Sequence, residues 1–488
     1  MKIPLRCIAH ARSGDKGNTS NIAVFAYVPA FYPILEAQLT AARFKEFYRG
    51  MIKGKVTRYP VQNLHAFNFV CEGALGGGVS RSLYLDNYGK ALSSAVLGFE
   101  IDLPDDLLGH VDAQRLRTAD EALGGRQSAP PGGTVRRYSM NQTTVEEEVL
   151  RYCRPQPLVQ GAEGSCRIGP FAFENGERLE SMTVGFVTHG QLNARRDNAV
   201  LLLPGTTNTR HSADGYIGPG NAFDPGHHFV IAFDAIGAGT SSKPSDGLGR
   251  DFPVYNIRDM VRAQHRVVGE YFGLARLAGV AGASMGAFQA LEWAIAYPAM
   301  VERLVLMVPA ARAGNIFRSV VVAVQELLRL DPHWDSDWLT MTDSAALRAA
   351  VRMYFPWTVS DAYLERVPPA LVEQEIESAI QRSSQWNGWD FVRRYQASAS
   401  HDVGVPFQGD LATALAQVRA RTLVMPTSTE RLLGSDSGRQ LANQIVNAIL
   451  VEVPTDRGHL GWRPVEGADE SRLFASEISR FLNQETIR

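Results

Sequence analysis

A serine stands between two glycines in the string Gly282-Ala283-Ser284-Met285-Gly286, within the stretch LAGVAGASMGAFQALEWAIAYP. A short apolar run precedes the string and an amphipathic helical pattern follows it, which predicts a sharp strand-to-helix turn. Such a turn exposes its serine as a nucleophile, provided that the positions two before and two after it are small. Both are glycine here. We therefore expect Ser284 to attack a carbonyl carbon, with the Met285 amide at the helix N-terminus facing the oxyanion. The alternative is a tight bend without chemistry.

A lone serine is a weak nucleophile and needs a base that is oriented by an acid. On chains with this turn the order is serine, acid, histidine, with the acid after a late strand and the histidine after the last one. His459, in TDRGHLGWRP, follows the apolar run AILVEVP and is the predicted base; the alternative is a surface histidine. TSTERLLGSDSG follows ARTLVMP and offers Glu430 and Asp436. Glu430 is favoured as the acid because it comes first after the strand.

A second oxyanion donor is expected in the loop that follows the run NAVLLLPG. This loop begins PGTTNTRHSADGY, so the backbone amide of Thr206 or Thr207 is the predicted donor. The hydroxyls of both threonines suit an ordinary role in a turn equally well. Side-chain identity therefore does not decide between the two interpretations.

Six short apolar runs and intervening helical patterns alternate through the second part of the chain. This rhythm predicts an α/β fold with a mostly parallel, doubly wound sheet. The Asn175–Gly176 turn is expected to join RIGPFAFENGERL and MTVGFVTHG as an antiparallel pair. Residues 310–405 lack the alternation and are predicted to form a helical lid. Its tryptophans either line an apolar pocket or form the core of the lid: Trp334, Trp338, Trp357, Trp386 and Trp389.

The first part of the chain has a different organisation. Residues 1–104 carry several successive strand patterns and a helical stretch, which predicts a small α+β domain. Residues 105–147 include RQSAPPGGTVRRYS, whose composition is typical of a linker. Residues 148–488 then form the α/β domain. Two domains also suit the length of 488 residues.

Net charge, cysteine content and the N-terminal residues limit which binding partners and which cellular compartment are expected. A net charge of −2 gives no electrostatic argument for a nucleic acid or an anionic membrane as partner. The four cysteines are widely spaced, without a C-x-x-C motif, and the N-terminus has no apolar signal segment. We therefore expect a cytoplasmic protein. The adjacent His227 and His228 have no partner at ligand spacing, so neither a metal nor a cofactor is expected.

Three strings, FPVYNIRDMVRAQHRVV, AGASMGAFQALEWA and LLRLDPHW, together resemble the homoserine O-acetyltransferase family of α/β-hydrolases over residues 165–485. The resemblance implies that Ser284 takes an acyl group from a small ester or an acyl-CoA, that His459 moves the proton, and that a second nucleophile collects the acyl group. It also implies a helical lid and a homodimer. Arg312, in PAARAGNIF, matches an arginine of the family that is suited to a substrate carboxylate; a surface role is the alternative.

The departures from the family pattern bear on the acceptor. The family has an aspartate directly after its histidine, whereas this chain has Leu460, and Glu430 stands where the family has an aspartate. A leucine cannot pair with an ammonium group, and burying that group unpaired is costly. Hydrolysis, or transfer to a less polar acceptor, therefore fits better than a homoserine or serine O-acyltransferase. A non-catalytic scaffold, with the small domain as docking module, is the alternative from another class.

The N-terminal strings ARSGDKGNTSNIAVFAY, VQNLHAFNFVCEGALGGGVSRSLYLD and GKALSSAVL resemble the small ferredoxin-like domain of acyclic terpene utilisation proteins, over residues 4–103. Two glycine-rich turns fall within them. Amides near glycines can form an anion-binding nest, so a carboxylate or phosphate site between Lys16 and Arg81 is one interpretation. Two tight turns with solvated charges is the other.

Overall fold

The computed structural model describes residues 1–48, 51–75, 92–111, 144–154, 158–336, 339–342 and 344–484. The chain divides into two compact units, residues 1–137 and 138–488. The first long helix of the larger unit begins at Val145, shortly before the start at 148 expected from the sequence. No helix among the described residues is both long and apolar enough to span a membrane.

The smaller unit is built on a four-stranded antiparallel sheet with the order β2-β3-β5-β4. The strands of this unit are β1 (Lys2–Pro4), β2 (Ala9–Lys16), β3 (Thr19–Ala26), β4 (Val56–Val61), β5 (Ala66–Glu72) and β6 (Glu100–Asp102). Its helices are α1 (Tyr32–Gln38), α2 (Ala41–Phe47) and α3 (Leu92–Val96). Strands β1 and β6 form a separate antiparallel pair. The core joins helix to sheet, as where the ring of Phe44 stacks on that of Phe69 at 3.9 Å.

The larger unit contains an eight-stranded mixed sheet. The strands of this unit are β7 (Ala162–Arg167), β8 (Phe171–Ala172), β9 (Arg178–Leu179), β10 (Thr183–His189), β11 (Ala199–Leu203), β12 (Phe229–Phe233), β13 (Gly279–Ala283), β14 (Arg303–Met307), β15 (Arg421–Met425) and β16 (Ala448–Leu450). The order is β16-β15-β14-β13-β11-β12-β10-β7. The strands from β16 to β12 are parallel, β10 is antiparallel to β12, and β7 is antiparallel to β10. Successive residues of β11 are buried in different clusters, because helices cover both faces.

Helices surround this sheet, and five of them lie within the segment predicted as a lid. The helices are α4 (Val145–Cys153), α5 (Ile257–Arg266), α6 (Met285–Ala296), α7 (Asn315–Leu328), α8 (Ala345–Thr358), α9 (Asp361–Arg366), α10 (Pro369–Ser384), α11 (Gly388–Ala399), α12 (Leu411–Leu415), α13 (Ser437–Gln444) and α14 (Asp469–Asn483). Helix α10 packs against both α8 and α4. The lid helices α7 to α11 are inserted between β14 and β15 and leave the order of the sheet intact.

The Asn175–Gly176 turn differs from expectation. It closes the two-residue strands β8 and β9, while the longer strand β10 pairs with β7. Gly169, at a φ of +69°, and Pro170 interrupt the chain after β7. Because proline has no amide hydrogen to donate to a strand pair, the run RIGPFAFENGERL does not form one strand.

Candidate active site

Ser284 lies at the joint between β13 and α6 with a φ of 55° and a ψ of −122°. A positive φ is rare for a residue that carries a side chain, and this conformation persists only when its surroundings hold it. Two backbone hydrogen bonds do so here: the Ser284 amide donates to the Met307 carbonyl at 3.1 Å, and its carbonyl accepts from the Phe288 amide at 3.0 Å. The strained turn therefore holds the hydroxyl at the carboxyl end of β13.

The two glycines that flank this turn are required by close backbone contacts. A Cβ on Gly282 would lie 2.3 Å from the Gly286 carbonyl carbon, and a Cβ on Gly286 would lie 2.1 Å from the Leu203 carbonyl oxygen. No side chain fits at such distances. The spacing of small residues seen in the sequence thus follows from the approach of α6 to β11 and β13.

His459 and Glu430 meet Ser284 in a continuous hydrogen-bonded line. Nε2 of His459 is 2.9 Å from Oγ of Ser284, and Nδ1 of His459 is 2.6 Å from Oε2 of Glu430. The histidine and glutamate side chains are buried, and Glu430 Oε1 accepts the Leu433 amide at 3.1 Å. Asp436, the other acid considered, is exposed and paired with Arg439 at 2.9 Å. The structure therefore brings Glu430, and not Asp436, to His459.

Hydrogen bonds hold the backbone segment that carries His459. The histidine lies in a one-turn helix, Gly458–Trp462, that follows the last strand. The Gly458 amide donates to Thr429 Oγ1 at 3.2 Å, and that hydroxyl donates to the Thr455 carbonyl at 2.7 Å. These bonds tie the histidine segment to the loop that carries Glu430.

The predicted oxyanion donors lie on two elements. Met285 is the first residue of α6, so its amide has no acceptor within the helix. The loop after β11 is held by lid and sheet helices: Gln289 Nε2 donates to the Pro204 carbonyl at 3.0 Å, and Arg394 Nη2 donates to the Gly205 carbonyl at 2.6 Å. Thr206 Oγ1 hydrogen-bonds Ser398 Oγ at 2.9 Å. The Thr206 side chain therefore contacts the lid, and its backbone amide remains the predicted donor to the oxyanion.

A cavity of about 380 Å³ opens on Ser284 and His459. One wall is apolar, and its members come from the lid helices and from the loops beside the triad: Phe317, Val324, Ala350, Val351, Tyr354, Phe355, Ala379, Trp386, Phe391, Tyr395, Leu432, Leu460 and Trp462. Burial raises the pKa of Tyr354 to about 12 and also raises the pKa of Tyr395 well above its usual value. Both phenols therefore stay protonated and can donate hydrogen bonds at neutral pH.

Three arginines that were not predicted from the sequence also line the cavity: Arg154, Arg382 and Arg463. They come from the end of α4, the last turn of α10 and the residue after the His459 helix. No aspartate or glutamate is among the described residues that line this cavity. The described wall is thus apolar and cationic.

Other sequence expectations fall elsewhere. Arg312 does not line the cavity: its Nε donates to Asp402 Oδ2 at 2.6 Å and its Nη2 to the Gly409 carbonyl at 3.0 Å. A partner within the protein therefore already satisfies this guanidinium, which corrects the expected substrate contact. Trp386 lines the cavity, whereas Trp334 and Trp389 pack on each other with ring centroids 4.7 Å apart.

Two further expectations concern anion and metal sites. Lys16 ends β2 and is exposed, and Arg81 lies outside the described residues, so the proposed anion site between them stays a prediction. Among the residues whose positions are described, no group of three or more histidine, cysteine, aspartate or glutamate side chains is arranged to hold a metal ion. Trp338 also lies outside the described part.

Comparison with known protein families gives two matches. Residues 198–461 match the α/β-hydrolase fold family, which is more than half of the chain. Residues 3–102 match the AtuA ferredoxin-like domain. Both domain resemblances inferred from the sequence are therefore confirmed.

Individual relatives cover the larger unit. A homoserine O-acetyltransferase of Deferribacter desulfuricans is 37% identical, over 59% of this chain and 88% of its own length. An ethyl acetate hydrolase of Pseudomonas veronii is 31% identical, over 60% of this chain and 88% of its own. Among solved structures, the acetyl esterase MekB is 26% identical with a TM-score of 0.63, covering 66% of this chain and 97% of its own. The relatives thus include both acyltransferases and ester hydrolases.

Proposed function

This chain belongs to the α/β-hydrolase family, and from that premise we propose that it hydrolyses a small carboxylic ester through an acyl-enzyme on Ser284. One observation carries the proposal: the hydrogen-bonded line from Ser284 Oγ through His459, at 2.9 and 2.6 Å, to Glu430. This is the arrangement by which a serine is activated for attack on a carbonyl carbon. The relatives include both acyltransferases and ester hydrolases, so their names do not identify the substrate of this chain.

The chemistry follows from the positions of the three side chains. As Ser284 Oγ attacks the ester carbonyl, His459 Nε2 accepts its proton, and Glu430 stabilises the imidazolium that forms. The amides of Met285 and Thr206 donate hydrogen bonds to the tetrahedral oxyanion. His459 then returns the proton to the departing alcohol, which leaves an acyl-Ser284 ester. In the second half, His459 takes a proton from water as that water attacks the acyl carbon. The bond to Ser284 Oγ then breaks, His459 returns the proton to that oxygen, and the acid is released.

Water is the acceptor that the cavity favours over an amino acid. Leu460 lines the cavity at the position after His459, and none of the described lining residues is an acid. The ammonium group of homoserine would therefore lose its hydration without gaining a carboxylate partner there, at a cost of several kcal/mol. Acyl transfer from an acyl-CoA to an apolar alcohol is the second candidate, favoured by the aromatic wall of Phe317, Tyr354 and Phe391.

Active-site labelling and ester turnover test the proposal together. A fluorophosphonate should label the wild-type protein on Ser284, and the same protein should release 4-nitrophenol from 4-nitrophenyl acetate. Ser284→Ala should lose both properties, because it removes the attacking oxygen. Ser383→Ala is the matched control, since it removes a hydroxyl from the same cavity and should keep both. Labelling that persists in Ser284→Ala, or undiminished turnover by it, would refute the assignment.

A further inference from the structure

Two of the cavity arginines, Arg382 and Arg463, form what we call the arginine pair. Arg382 lies in the last turn of α10, and Arg463 follows the helical turn that holds His459. Both side chains line the cavity that also contains Ser284. Both are partly buried, so they are shielded from bulk water while remaining open to the cavity.

The hydrogen bonds of the arginine pair within the protein involve neutral groups. Arg382 Nη1 donates to Ser378 Oγ at 2.5 Å, and Arg463 Nη1 donates to the Tyr152 carbonyl at 3.4 Å. Neither arginine forms an ion pair with any residue in the described ranges. A guanidinium has five N–H donors, so each of these bonds uses only part of the donor capacity of these cavity-lining side chains.

Other arginines of the lid, unlike the arginine pair, form ion pairs within the protein. Arg348 and Arg352 of α8 form ion pairs with Glu377 and Glu373, two acids of the same helix that carries Arg382. Lid arginines that face these acids are thus neutralised within the protein, whereas the pair that faces the cavity is not.

Glu375, the acid whose charge acts on both members of the arginine pair, is occupied by other groups. Glu375 accepts hydrogen bonds from both terminal nitrogens of the buried Arg457 and from the Tyr363 hydroxyl. Glu470 accepts the hydroxyl of Tyr152. Burial lowers the pKa of Arg382, and burial together with the charge of Arg382 lowers the pKa of Arg463. The charge of Glu375 therefore acts on both arginines, but no ion pair within the described residues neutralises either of them.

We propose that the arginine pair binds an anionic oxygen group of the substrate, so that the preferred substrate is an ester or thioester carrying a second, negatively charged group. This inference rests on the proposed function. Planar guanidinium groups match carboxylates and phosphates with paired hydrogen bonds, and an anion would supply the charge that the cavity lacks. Arg154, exposed at the end of α4, lines the same cavity and adds a third positive charge.

The anionic group has two possible sources that share this chemistry. It is either a carboxylate on the acyl part, as in a half-ester of a dicarboxylic acid, or a phosphate on the leaving part, as in a coenzyme A thioester. A cavity of about 380 Å³ accommodates a short acyl chain together with a carboxylate, which favours the first source. In that case the pair positions the substrate with its ester carbonyl at Ser284.

Paired substrates test the inference. One pair is 4-nitrophenyl hydrogen glutarate against the uncharged 4-nitrophenyl pentanoate, and the other is acetyl-CoA against S-acetylpantetheine. Arg382→Gln and Arg463→Gln should each lower kcat/KM for the anionic member of one pair by about tenfold or more, the size expected for losing a charged hydrogen bond. The neutral member should change by less than about twofold. Arg348→Gln, which breaks an ion pair on the lid surface, is the matched control and should leave both members unchanged.

The outcomes separate this inference from the proposed function. Loss confined to the glutarate ester identifies an acyl carboxylate, and loss confined to acetyl-CoA identifies a phosphate of the leaving part. Equal effects on charged and neutral substrates, or no effect on either, would overturn the inference while ester hydrolysis stands. If the wild type turns over none of these substrates, binding of glutarate monomethyl ester and of CoA to Ser284→Ala decides, read from tryptophan fluorescence. Binding that Arg463→Gln weakens supports the arginine pair, and no binding of either anion contradicts it.

Discussion

Replacing Glu430 by glutamine isolates the charge in the proposed triad. Glu430 Oε2 is 2.6 Å from Nδ1 of His459, and Oε1 accepts the Leu433 amide at 3.1 Å. In Glu430→Gln the side-chain oxygen keeps the Leu433 bond, so the amide nitrogen faces His459. An amide donates at that position, which forces Nδ1 to accept and places the ring hydrogen on Nε2. The base then presents a hydrogen, rather than a lone pair, to Ser284.

The rate effect follows from the wrong tautomer and from the lost stabilisation of the imidazolium. A fall in kcat of roughly 10³- to 10⁴-fold is expected, which corresponds to about 4–5.5 kcal/mol. The assay is release of 4-nitrophenol from 4-nitrophenyl acetate, with the melting temperature measured alongside to show that the fold is intact. Asp436→Asn is the matched control: this exposed acid pairs with Arg439, and its loss should leave kcat nearly unchanged. A fall of less than about tenfold in Glu430→Gln, or an equal fall in Asp436→Asn, would refute the reasoning.

Three further predictions concern stability. Ser284→Gly should be about 1 kcal/mol more stable than Ser284→Ala in urea unfolding, because glycine relieves the φ of 55° that alanine retains; an equal or lower stability would contradict the strain. Gly286→Ala should lower the free energy of unfolding by more than about 3 kcal/mol, since its Cβ would lie 2.1 Å from the Leu203 carbonyl oxygen, whereas Gly269→Ala, with open space around it, should change it little. Burial raises the pKa of Glu292 from 4.5 to about 8, so the stability gained by its protonation is complete below pH 4.5 and is lost as the pH rises to 8. Glu292→Gln should lack this pH-dependent loss in the free energy of unfolding, which amounts to up to roughly 5 kcal/mol in the wild type. Identical pH profiles of unfolding for the two proteins would exclude a raised pKa of Glu292.

The three residues of the proposed triad could be predicted because each depends on local order along the chain. Ser284 is marked by the small residues that the close approach of α6 requires, and His459 and Glu430 by their places after the last two parallel strands. The sheet topology alone brings these strand ends together, since parallel strands present their carboxyl ends at one edge. The order of the elements along the chain was therefore enough to predict these three residues.

The lining of the cavity could not be predicted in the same way. Arg382 and Arg463 are more than 80 residues apart in sequence and come to line one cavity only through the tertiary fold. No periodicity marks an arginine that lacks a carboxylate partner, because pairing is decided by tertiary contacts. Arg312 shows the converse: its match to an arginine of the family suggested a substrate contact, but the guanidinium pairs with Asp402.

The smaller unit shows the limit of a motif read without its surroundings. The turn between β2 and β3 holds Gly17 at a φ of 59°, so a glycine is needed there for backbone geometry alone. That requirement accounts for the glycine whether or not an anion binds. A glycine-rich turn therefore becomes evidence for a site only when its charged partners are positioned as well.

Intact-protein mass spectrometry after brief exposure to 4-nitrophenyl acetate tests the central claim most directly. We expect a transient increase by the mass of one acetyl group, located on Ser284 by peptide mapping, that water discharges without any added acceptor. The His459→Ala variant should show no such intermediate on the same time scale, because the serine then lacks its base. An acetyl group found on another residue, or turnover of the ester by Ser284→Ala at the wild-type rate, would contradict the account.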